Sequence, residues 1–133
     1  RLILESIARH AAVDIKDFRT SETASSCSYT PFHEGKVINA SAYRAFLLTS
    51  ASKVFCDGDY LRIAERNLNF VLENQNQDGS WFYAVDGVRD FVDHFHTCFV
   101  MKSLAKIHAL TGHPGIVEAL AKGVSYYLNN LFD

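Results

Sequence analysis

A chain of 133 residues with 48% hydrophobic side chains is long enough to bury a core of its own, so disorder is not expected. Its 13 basic and 15 acidic residues leave a net charge of -2 with no basic block, and the electrostatic footprint of a nucleic-acid binder is missing. Three cysteines, Cys27, Cys56 and Cys98, form an odd number in no CxxC spacing, which argues against a disulfide framework or a four-cysteine zinc site and points to reduced, mostly buried thiols.

Along the chain, a weak helical segment is predicted over about 2–12. Glu5, Arg9 and Asp14 interrupt its apolar stretches, so it does not read as a secretory leader. No run approaches the roughly 20 apolar residues of a membrane span, since even 42–48 contains Arg44; a cytoplasmic protein with no membrane partner is the expectation. The first strong helix, 37–55, is apolar on nearly every side and must be surrounded by others. The second, about 59–74, carries one stripe (Leu61, Ala64, Leu68, Val71, Leu72) and should face water opposite it. The third, about 94–110, is again broadly apolar. The fourth, about 114–131, returns to one stripe and opens with Pro114, which suits a first helical turn.

Buried and amphipathic helices thus alternate, and a shift of 56 residues pairs Ala45 with Met101, Leu48 with Leu104, Ala51 with Ile107 and Leu68 with Val124. The turns CDGD and TGHPG fall at matching places. A repeat of one inner and one outer helix, over about 37–76 and 93–131, is what stacked or ring-closed helical hairpins require.

Residues 75 to 81, QNQDGSW, join the two units. Gly79 permits a tight turn, Asp78-Gly79-Ser80 is turn chemistry, Gln75 can bond the returning backbone, and Trp81 can plug the joint. The spacing resembles the QW motif of the squalene-cyclase and prenyltransferase toroids. The same QxxDGSW arrangement is similar to that of six-hairpin carbohydrate-active proteins. The segments SYTPF, VINA, NQDGSWFY and DHFHTCF resemble those of bacterial toroid proteins from polysaccharide gene clusters. The likeness covers about residues 28 to 131, with His94 and Cys98 where Asn and Gly are expected. It implies an all-α fold of antiparallel hairpins in an (α/α) toroid-like, partial-barrel arrangement. Beginning at Arg1 and stopping after LNNLFD, the chain reads as one domain, 1–133, cut from a larger toroid.

Chemistry is expected at the N-terminus of the third strong helix. If Asp93 is its cap, His96 falls at the third helical position, where the positive helix end favours a neutral imidazole, and a neutral histidine beside a carboxylate is a general base. In a toroid this helix end points into the cavity mouth, where Tyr29, His33, Asn39, Tyr83 and Arg89 would converge as substrate-binding residues. Aromatic rings beside polar groups suit a sugar, and Arg89 suits a uronate carboxylate. A purely structural alternative stands beside this one, in which Asp93 only caps, His96 anchors the loop and the rings pack. Trp81 likewise reads either as a sugar platform or, preferred here, as the filler of the joint. A metal reading would draw on His33, Asp93, His94 and His96, together with Cys98. His94 and His96 diverge by about 200° on a helix, so no metal and no cofactor is expected.

The leading expectation is therefore a carbohydrate-active protein, a lyase, hydrolase or epimerase acting on a uronate-containing or surface polysaccharide through Asp93 and His96. The alternative is a non-catalytic helical-repeat scaffold binding protein or glycan, with self-association across an incomplete ring. A terpenoid cyclase is weaker, because no DxDD or DDxxD cluster is present.

Overall fold

The computed structural model describes residues 1–32 and 35–132. Five helices and one short hairpin follow in the order α1 (Leu2–Val13), β1 (Asp17–Arg19), β2 (Ser25–Cys27), α2 (Ile38–Phe55), α3 (Gly58–Glu73), α4 (His94–Thr111) and α5 (Pro114–Asn130). The breadth of the apolar surface on α2 places it at the centre, against α1, α3, α4 and β2, and buries Ile38, Ala42, Ala45, Leu48 and Ala51. Val100, Leu104 and Ile107 of α4 close the core from the other side, with Ile116 and Ala119 of α5 behind them.

The 56-residue repeat recurs in the helix boundaries. α2 and α4 each run 18 residues, and their first and last positions differ by the same shift. Cys56 and Gly112, related by it, both adopt the left-handed conformation that ends a helix (φ 55° and 67°). A carboxylate cap starts α3, where Asp57 accepts from the amides of Asp59 and Tyr60, and another starts α4, where Asp93 accepts from the amide of His96. The outer helices differ in what covers them. Leu68 on α3 is buried under its neighbours, whereas Val124 and Leu128 on α5 lie open at 45% and 55% exposure.

The (α/α) toroid and partial-barrel expectation is overturned. Five helices are too few for a six-hairpin ring, which needs roughly twelve, and the fold is mostly helical rather than all-α. Residues 17–27 form an antiparallel hairpin, Asp17 opposite Cys27, Phe18 opposite Ser26 and Arg19 opposite Ser25. Its turn is fastened by Ser21 Oγ, which accepts from the amides of Thr23 and Ala24. The hairpin is held onto the helices by side chains from two of them. Arg44 of α2, 4% exposed, donates to the carbonyls of Ala11 and Ile15, to Asp17 Oδ1 and to Asn67 Oδ1. Asn67 of α3 in turn donates to the carbonyl of Ser25. All three thiols are free, but Cys27 alone is buried; Cys56 is exposed because it sits on the turn after α2. No helix is long and apolar enough to cross a membrane among the described residues.

Candidate functional site

The segment after α3 explains how distant residues reach one place. Gln75 Nε2 donates to the carbonyls of Gly79 and Ala119, both at 2.9 Å, tying the turn to α5. Gly79 has φ +94°, and a Cβ there would stand 2.4 Å from the Lys122 carbonyl oxygen, so only glycine fits. Asp78 Oδ1 accepts from the amide and hydroxyl of Ser80. Trp81, 3% exposed, donates from Nε1 to the Val71 carbonyl at 3.0 Å and lies against Gly123, so it offers no face to a ligand.

Beyond this joint the chain is stitched to the start of α2. The amide of Ile38 donates to the Tyr83 carbonyl, that of Val85 to Lys36, and that of Tyr83 to Phe91. Tyr83 is thereby fixed between the N-termini of the two inner helices. Its ring stacks on Phe91 (centroids 5.0 Å apart, planes at 10°) and meets His96 edge-on at 4.5 Å. The Arg89 guanidinium lies over the Tyr83 ring at 5.4 Å.

Asp93 and His96 form a dyad in front of these rings. Asp93 Oδ1 accepts the His96 amide at 2.8 Å, and Oδ2 pairs with His96 Nδ1 at 2.5 Å. Burial pushes the Asp93 carboxyl up, but the hydrogen bonds from the His96 amide and imidazole outweigh it and hold the group below its ordinary range. The carboxylate therefore stays ionised and fixes the imidazole with Nδ1 turned toward it and Nε2 away.

Of the residues expected to converge, Tyr83, Arg89, Asp93 and His96 come together. Tyr29 and Asn39 lie instead in a cavity of about 490 Å³ between α1, β2 and α2. The two regions share a wall: Tyr43 lines the cavity and contacts Phe99 (5.6 Å), and Phe99 reaches His96 (6.4 Å). His33 lies outside the described residues. Tyr43, Phe91 and Phe99 were not singled out by sequence reasoning. Tyr43 is one helical turn after Asn39, and that spacing is the signal that would have found it. His94 is drawn off to α5, where it pairs with the Tyr127 hydroxyl at 2.8 Å. Among the described residues no group of three or more His, Cys, Asp or Glu side chains is placed to hold a metal ion.

Arg89 is partly committed. Its Nε donates to Asp86 Oδ2 at 2.6 Å, and it borders a cleft of about 280 Å³ shared with Lys36 and Phe18. The amides of Arg89 and Val88, with the Arg89 side chain, pull the Asp86 carboxyl from 3.8 down to about 2. A depressed carboxyl contributes its stability above its unfolded value and loses it as pH falls through the folded one. The Val88 and Arg89 amide resonances should accordingly titrate together with a midpoint of about 2. A midpoint at the ordinary 3.8 would show that the turn does not hold Asp86 in solution.

Comparison with protein-family models, with curated proteins and with solved structures finds no match.

Proposed function

We propose that the chain is a carbohydrate-active protein whose proton-transfer group is His96, oriented by Asp93. Phe91, half exposed and backed by the Tyr83 ring, forms the sugar platform, and Arg89 is the partner for a uronate carboxylate. The observation that carries this reading is the fixed carboxylate–imidazole pair set against a stack of partly exposed rings. With Nδ1–H held by Asp93, the lone pair on Nε2 is the base. Hydrolysis ordinarily needs two opposed carboxylates, and Asp93 is already engaged with His96. Proton abstraction at carbon, as in a lyase or epimerase, suits the geometry better. In an elimination, Nε2 takes the proton from the carbon beside the uronate carboxylate, and negative charge builds on that carboxylate next to Arg89. The glycosidic C–O bond one carbon further breaks as the double bond forms, and the leaving oxygen is protonated by the imidazolium. The likeness of the QxxDGSW segment to carbohydrate-active proteins lends support without requiring a ring.

Incubation with uronate-containing oligosaccharides should release an unsaturated product, or exchange the carbon-bound proton with deuterated solvent. His96→Gln should lower that rate by about 10²–10⁴-fold. An unchanged rate in the folded variant would remove the dyad from the chemistry. A second reading, a non-catalytic scaffold binding protein or glycan, draws on the open face of α5, with Val117, Val124 and Leu128 about half exposed. It predicts self-association or partner binding indifferent to His96.

A further inference from the structure

The 56-residue shift also reaches α1. The three outer helices begin at Leu2, Gly58 and Pro114, evenly spaced by it. The same positions on them are buried: Ala8 and Ala64, then Ala11, Asn67 and Gly123. α1 is therefore the outer helix of a third unit, and among the described residues it has no inner helix of its own. The next unit shows what an inner helix covers. Phe99 of α4 meets Tyr43 of α2 at 5.6 Å, and Val100, 1% exposed, shares one core cluster with Ala42 and Ala45. The counterparts of Phe99 and Val100 one unit earlier are Tyr43 and Arg44. With Ala40 and Leu47 they form a single helical stripe, and that stripe lines the cavity of about 490 Å³ between α1, β2 and α2. The face that α2 covers on α4 is thus left open on α2 itself.

From this continuity we infer that the cavity is the seat of one further helix, supplied in trans by a partner and laid across it as α2 is laid on α4. The outer position of that unit is already filled by α1, so the partner brings a single helix and not a hairpin. Arg44 draws the carbonyls of Ala11 and Ile15 onto α2, which narrows the seat to a space for inserted side chains. The partner's chemistry follows from the walls. Ala11, Ile15, Ala40, Phe46 and Leu47 are apolar, and Arg44, the one cation lining the cavity, is spent on four protein oxygens. The inserted stripe is accordingly neutral, with small and apolar residues at i, i+3 and i+4, as α2 offers α4 through Ala42, Ala45 and Phe46. Tyr29 and Tyr43, 54% and 43% exposed, are the rings of the cavity wall that such a helix covers.

The probe is a synthetic peptide of residues 38–55, the segment that covers the equivalent face of α4, titrated into the intact chain. Free in water an 18-residue helix is marginal, so seating it should raise the ellipticity of the mixture above the sum of its parts. Calorimetry should give saturable one-to-one binding that Tyr43→Glu weakens by about tenfold or more. Val124→Glu, on the open face of α5, should stay within about twofold of the parent. If Tyr43→Glu does not fold, Tyr29→Glu, on the exposed segment after β2, should give the same loss. No binding by the peptide, equal binding by a scrambled peptide of the same composition, or an equal loss in Val124→Glu would overturn the seat. Self-association of the chain that Tyr43→Glu abolishes, with no binding of the peptide, would overturn the single partner helix in favour of a second copy.

Discussion

Replacing Trp81 by alanine is expected to destabilise the chain by about 3–5 kcal/mol, the largest loss anticipated for any single side chain here. Three effects add. The ring is 3% exposed and fills the space between the α3 end and α5, where Gly123 leaves room for it. Its truncation opens a cavity that the tightly turned 75–80 segment cannot collapse into, because Gln75 and Gly79 are already locked against α5. The Val71 carbonyl also loses its indole donor. Against a total stability of about 5–15 kcal/mol, such a loss consumes a large part of the margin. Thermal unfolding should shift down by on the order of 10 °C or more. Trp81→Phe, which keeps much of the volume and forfeits the hydrogen bond, should lose distinctly less. A Trp81→Ala midpoint unchanged within error would mean that the joint is not where the two helical units are held together.

Arg44→Met is expected to cost about 3 kcal/mol through a different mechanism. The methionine occupies similar volume, so little packing is lost, but four acceptors, on α1, the turn after it, β1 and α3, are abandoned at once. Asp17 is 39% exposed and recovers solvation, whereas the buried Asn67 and the carbonyls of Ala11 and Ile15 recover it poorly. The effect should be local. Hydrogen exchange should accelerate across α1 and the β1–β2 hairpin, and α4 and α5 should keep their protection. Asp17→Asn, which removes only the half-exposed charge, should cost about 1 kcal/mol or less. Equal losses from both substitutions would show that the ion pair, and not the carbonyl network, fastens the hairpin.

Arg44 also marks the limit of what the sequence discloses. Read as a one-dimensional pattern, it is the charge that spoils an apolar run at 42–48; its partners lie on α1, the α1–β1 turn, β1 and α3, and no spacing rule connects them. The four strong helices were legible because each carries its own signal, a broad apolar surface on α2 and α4 and one apolar stripe on α3 and α5, with a carboxylate cap or a proline at the start of all but α2, and their predicted ends fall within a residue of the observed ones. The hairpin was not legible, since strands of three residues are too short to show alternation. The toroid expectation followed from the QxxDGSW likeness, which describes a joint between two hairpins and does not count them. At the site, Asp93 capping His96 could be read from a spacing of three residues. The meeting of Tyr83 with His96 depends on backbone pairing between 83–85 and the start of α2, and the separation of Tyr29 and Asn39 into another cavity depends on the hairpin.

The most direct measurement is a calorimetric titration of the purified chain with a panel of neutral and uronate oligosaccharides, run in parallel on His96→Ala with its fold verified. Saturable binding to at least one of them, weakened about tenfold or more in the variant, is the expected result and places a sugar against the Asp93–His96 pair. Binding of equal strength in both proteins, or none in either, would contradict a carbohydrate site at the α4 N-terminus.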